Sequence, residues 1–80
     1  AVREMVEDDK GRLWIGTEDG GLNQYDRKTG RVLHFRSTGK PGDIAYPNLH
    51  ALLAEGNRLW VGTFEHGLDL FDMEKGKVIQ

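Results

Sequence analysis

The sequence predicts an all-β fold of two consecutive four-stranded antiparallel β-propeller blades, and three observations carry that prediction. First, the chain repeats itself. Arg12-Leu13-Trp14-Ile15-Gly16-Thr17 returns 46 residues later as Arg58-Leu59-Trp60-Val61-Gly62-Thr63, and ten of the 23 aligned positions in 12–34 and 58–80 are identical. A period in the forties, built from short strands, is the period of a propeller blade. Second, turn formers interrupt the chain at short intervals, with 11 Gly but only 2 Pro in 80 residues, where Gly usually makes up ~7%. Third, Leu13, Ile15 and Thr17 alternate with Trp14 and Gly16, so both faces of that strand are apolar. A strand of this kind needs a sheet on either side of it. A helical reading fails because Gly recurs too often and no helical period persists.

Each element follows from its residues. Val2 to Glu7 reads as a first strand, and Asp8-Asp9-Lys10-Gly11 as a hairpin turn, since Asp and Gly tolerate positive φ. Arg12 to Thr17 is the second strand, Glu18-Asp19-Gly20-Gly21 a turn, and Leu22 to Asp26 the third strand. Arg27-Lys28-Thr29-Gly30 turns into a fourth strand, Arg31 to Arg36. The stretch 37–48 holds Gly39, Pro41, Gly42 and Pro47 and reads as a connector. The second meander has strands at Leu49 to Ala54, Arg58 to Thr63, Gly67 to Asp72 and Lys77 to Gln80. Its first strand aligns at an offset of 47, because the turn Glu55-Gly56-Asn57 is one residue shorter. The organisation is therefore blade 1 at 1–36, connector at 37–48 and blade 2 at 49–80. The third and fourth strands mix Leu22, Tyr25, Val32 and Phe35 with Asn23, Gln24, Arg31 and His34, so burial should fall from the inner strands to the outer rim.

Composition removes several classes of function. There is no Cys, hence no disulfide framework and no Cys-based metal site. A formal net charge of −2, with signs interspersed, gives no electrostatic reason to expect nucleic acid or a membrane surface as partner. No apolar run approaches the roughly 20 residues of a membrane span, and the N-terminal residues Ala1-Val2-Arg3-Glu4 contain no apolar signal core.

Leu13 to Thr17, then Gly20 to Leu22, Tyr25-Asp26 and Thr29-Gly30, with Glu7-Asp8 ahead of them, resemble the two-component regulator propeller repeat. The second copy departs from it where His66 replaces the first Gly, Phe71 the Tyr and Lys75 the Thr. The resemblance implies β-propeller blades of the kind found in the extracytoplasmic sensor regions of hybrid histidine kinases, which often respond to glycans. It implies a ring of many more than two blades. Signalling does not carry over, because no kinase, receiver or membrane segment is recognisable in the chain, and the location of this chain stays open.

Two blades leave one flank of each sheet bare, and bare apolar flanks mark interaction surfaces. The expectation is that identical chains close a ring non-covalently, since rings form when a heterologous contact closes. The partner is the chain itself: a tetramer of eight blades is favoured, with a trimer of six as the alternative. A sequence that starts and stops at blade edges reads as an excised or engineered building block.

The candidate sites follow. Trp14, Gly16, Trp60 and Gly62 are matched mid-strand positions and read as inter-blade packing rather than as sugar platforms. Gly20-Gly21 reads as a turn, because no phosphate-loop pattern surrounds it. His34, His50 and His66 stand 16 residues apart on different elements, without metal-ligand spacing; His50 lies on an inner strand, towards a channel. Glu7, Asp8 and Asp9 read as solvated turn acids, and Asp26 and Asp72 as caps of the turns that follow them. Ser37, the only Ser, has no His and Asp arranged beside it as a nucleophile would. No catalytic residue, metal or cofactor is assigned, and the chain reads as a non-enzyme. Ligand-binding candidates lie on one rim: Tyr46, Phe64, Glu65 and His66, with Glu18 and Asp19 beside them. A glycan or peptide is the ligand class there.

Overall fold

A computed structural model of the chain describes residues 2–45, 47–63 and 65–80. It contains β1 (Val2–Glu7), β2 (Arg12–Thr17), β3 (Leu22–Asp26), β4 (Val32–Phe35), β5 (Leu49–Glu55), β6 (Arg58–Thr63), β7 (Gly67–Asp72) and β8 (Lys77–Val78). They form two four-stranded antiparallel meanders, β1-β2-β3-β4 and β5-β6-β7-β8. β4 is shorter at both ends than its residues suggest, and β5 runs one residue further, to Glu55. β8 stops at Val78, although Ile79 N–H still donates to Leu70 C=O at 2.8 Å and Leu70 N–H to Gln80 C=O at 2.9 Å. No helix among the described residues is long and apolar enough to cross a membrane.

Turn chemistry fixes the strand lengths. Asp26 and Asp72 each accept two backbone N–H groups with Oδ1: Lys28 and Thr29 at 2.9 and 3.4 Å, Glu74 and Lys75 at 2.9 and 2.8 Å. These are the capping bonds their positions suggest. After β2 and β6, Thr17 and Thr63 hydroxyls donate to the carbonyls of Gly21 and Gly67 at 3.0 and 2.9 Å. Gly21 is required at its site: φ is +76°, and a Cβ there would lie 2.7 Å from the Phe35 carbonyl oxygen.

Pairing register assigns every side chain to a face. In blade 1, Trp14 pairs with Gln24 and Gly16 with Leu22; these share a face with Val6 and Phe35. In blade 2, Leu59 pairs with Phe71, Val61 with Leu52 and Thr63 with Leu49 on one face. Those two faces pack against each other. Trp14, Leu22, Leu49, Leu52, Leu59, Val61, Phe71 and Met73 form one buried cluster, joined by Ile44 from the connector. Its centre is aromatic. Trp14 stacks on Phe35 with centroids 5.8 Å apart, and both meet Phe71 edge-on, at 5.5 and 5.0 Å. The connector is laced to both sheets, by Gly21 N–H to Pro47 C=O at 3.1 Å and Val78 N–H to Gly42 C=O at 2.7 Å. The outermost strands, β4 and β8, contain no fully buried residue.

Each blade has one face left over. Met5, Leu13, Ile15, Tyr25 and Val32 share the other face of blade 1, and none is buried. Ala51, Leu53, Trp60, Gly62, Leu68 and Leu70 share the other face of blade 2, and of these six Leu70 alone is buried, beside the strand-end bonds to Ile79 and Gln80. The two-sided burial that the apolar faces of β2 and β6 call for is met on one side only within the chain.

Candidate functional site

The two uncovered faces are the repeats of the two covered ones. Leu22 is 0% exposed and its repeat Leu68 62%. Trp14 is buried, whereas Trp60 is half-buried and its Nε1 donates to Glu55 Oε1 at 3.3 Å. A Cβ added at Gly16 would lie 3.2 Å from Leu49 Cβ and 3.5 Å from Leu52 Cδ1, so blade 2 presses directly on that glycine. At Gly62 the nearest atoms to such a Cβ all belong to Ala51, its own sheet partner, the closest at 3.4 Å. The space above it is an apolar hollow of about 330 Å³ lined by Ala51, Leu52, Leu53, Trp60, Gly62 and Leu68. The same residues at the same register thus pack inside the chain in one copy and face outward in the other.

A second feature sits at the opposite end of the covered interface. Asp8 has a buried carboxylate, not the solvated turn acid its hairpin suggests, because the Trp14 indole and the Arg12 side chain fold over it. Trp14 Nε1 donates to Asp8 Oδ2 at 2.9 Å and Arg12 Nε at 2.6 Å; the N–H groups of Lys10 and Arg12 donate to Oδ1, each at 2.9 Å. Burial alone would push the carboxyl up, but these bonds, led by the indole, outweigh it and hold Asp8 below the ordinary carboxylate value. From this hub the interface continues to blade 2. Lys10 Nζ lies 2.8 Å and Arg12 Nη2 3.4 Å from Glu74 Oε2, and Lys10 above all draws the Glu74 carboxyl down. Asp8 therefore positions the tryptophan that fills the interface; it is not arranged as an acid for catalysis.

Of the rim candidates, the structure describes Glu65, His66, Glu18 and Asp19. Tyr46 and Phe64 lie outside the described residues. Glu65 and His66 are exposed in the β6–β7 turn, Glu65 with φ of +62°. Glu18 and Asp19 lie in the β2–β3 turn. Asp19 lines, with Gly20, Gly21, Arg36, Ser37, Thr38 and Pro47, a hollow of mixed polarity of about 280 Å³ where that turn meets the connector. His34 lies beside Asn23 on the surface, and His50 stands where the β5–β6 register shifts between Leu49 and Ala51. Among the described residues no group of three or more His, Cys, Asp or Glu is placed to hold a metal ion. Two participants escaped the sequence reading: Asp8, and Ile44, a lone apolar residue in a Gly- and Pro-rich connector. The spacing of Asp8 from Arg12 and Trp14 across a tight hairpin was the available signal for the first.

Residues 1–19 match the family model described as two component regulator propeller. That short match spans β1, β2 and the turn between them, and includes Asp8 and the Leu13 to Thr17 motif. No curated protein matches the chain. The match and the two four-stranded antiparallel sheets fit two propeller blades.

Proposed function

We propose that this pair of propeller blades is a non-catalytic building block whose activity is self-association into a closed ring. Identical chains pack head to tail, the Trp60 face of one against the Ile15 face of the next. One observation carries the reading: the inter-blade contact inside the chain joins the Trp14 face to the Leu59–Val61 face, and the repeats of those two faces are the ones left bare. A heterologous contact of this kind is satisfied only when the ring closes. Four chains giving eight blades is the favoured count and three giving six the alternative. Propeller repeats of the matched family are generally non-catalytic sensor or regulatory units, typically of extracellular or periplasmic regions. An excised or engineered blade pair would work as such a module. Light scattering behind size exclusion tests this: the expected mass is four times, or three times, the 9.0 kDa of one chain. A single-chain mass at every concentration overturns it.

A second reading, a glycan- or peptide-binding sensor fragment, is favoured by the hollow at Asp19, Arg36, Ser37 and Thr38. It pairs opposite charges with hydroxyls, the groups a small polar ligand needs, and Glu65 and His66 occupy the matching turn of blade 2. A glycan and peptide array tests it. Arg36→Ala should abolish any binding found, and an array without hits removes the reading.

A further inference from the structure

We infer that Met5 of one chain seats in the hollow over Gly62 of its neighbour, and that this seat is what selects a second copy of the chain as partner. The inference rests on the head-to-tail reading above. The repeat defines the seat. Over Gly16 the covering side chains are Leu49 and Leu52 of β5, and Leu52 stands opposite Val61 in the β5–β6 pair. Met5 stands opposite Ile15, the repeat of Val61, in the β1–β2 pair. Met5 is thus the residue that blade 1 offers where blade 2 offers Leu52. It is 52% exposed, with nothing to fill. The hollow over Gly62 is the repeat of the space Leu52 occupies, and it is lined by exposed Leu53 and Leu68. Knob and hole are both present in each chain, on opposite flanks, which is the arrangement of a heterologous contact. An unbranched thioether suits an irregular apolar hollow.

Charge at the adjoining turn does not carry the contact. Inside the chain, Lys10 and Arg12 reach Glu74 of the β7–β8 turn. Between chains the repeat of Glu74 is Lys28, and the repeat of Asp8 is Glu55. Glu55 can pair with Lys28, but Arg58, the repeat of Arg12, meets a lysine where Arg12 meets an acid. With attraction and repulsion offset there, the apolar seat supplies the closure.

The test fills the hole without disturbing the fold. In Gly62→Val the closest atom to the new Cβ is Ala51 Cβ, at 3.4 Å, within ordinary contact, so each chain should fold as before. The mass by light scattering should drop from that of the wild-type assembly to that of one chain, while circular dichroism keeps its β signature. As a second measurement independent of folding losses, Met5→Cys chains are mixed with Gly62→Cys chains under mild oxidation. The chain has no native Cys, so the expected product is a mixed disulfide in preference to either self-linked dimer. Gly62→Val assembling like wild type overturns the seat and leaves the ring intact. Preferential self-linking of Gly62→Cys also overturns it, in favour of a symmetric groove-to-groove pair. A wild-type chain that never assembles overturns the ring and the seat together.

Discussion

Asp8→Ala should cost about 3 kcal/mol of folding stability, read as a lower urea midpoint at pH 7 with unchanged slope. The substitution removes the acceptor of four donors at once: the Trp14 indole, the Arg12 guanidinium and two backbone N–H groups. The indole sits in the covered interface and donates to Asp8 there, so losing that acceptor leaves its N–H buried and unpaired, at ~1–3 kcal/mol. Arg12 keeps Glu74 at 3.4 Å, which tempers the loss of its nearer carboxylate. Against a typical stability of about 5–15 kcal/mol, that is a large fraction for one residue of a hairpin turn. The pH dependence follows from the depressed carboxyl. A carboxyl held lower in the folded than in the unfolded chain stabilises fully above its unfolded value, near ~4. That contribution is lost as pH falls through the lower folded value. Wild type and Asp8→Ala should therefore differ by a constant amount from neutrality down to about pH 5, and converge below about pH 4. A difference that persists undiminished at lower pH would mean that Asp8 acts through shape, not through its charge.

Strand positions and turns were legible because each is written twice. The copies at 12–34 and 58–80 give two readings of one register, and Gly and Asp mark the same reversals in both. The uncertain element ends are the outer ones, β4 and β8, where few side chains are buried and pairing fades without a sequence signal. Burial was less legible, for a reason built into repetition. Leu-Trp-(Ile/Val)-Gly-Thr occurs in both blades, yet Trp14 is enclosed and Trp60 is not. The difference lies in what stands opposite each face, β5 and β6 in one case and nothing in the other, and no local pattern encodes that. Asp8 shows a related limit. Beside Glu7 and Asp9 it looks like one of three solvated acids; only the indole six residues on, brought alongside by the hairpin, takes it out of water.

Trp14→Ala and Trp60→Ala change the same residue of the same motif and should fail in opposite ways. Trp14 is fully enclosed, stacks with Phe35, meets Phe71 edge-on and holds Asp8. Its truncation leaves a cavity in the core that the described residues form and takes one donor from the buried Asp8 carboxylate, at ~3–5 kcal/mol. In an 80-residue chain that approaches the whole stability, and the variant should be largely unfolded at room temperature by circular dichroism. Trp60 faces the open hollow, with a single long bond to Glu55. Its truncation should cost about 1 kcal/mol in the single chain and still remove a large part of the surface on which a neighbour would sit. The two effects separate by concentration. Assembly makes the melting temperature of wild type rise with protein concentration by mass action. Trp60→Ala should melt at one temperature across the same range and scatter as a single chain, while Trp14→Ala shows no cooperative transition at any concentration. Equal losses of stability from the two substitutions would mean that the Trp60 face is already covered within the chain, and the open flank on which head-to-tail assembly depends would not exist.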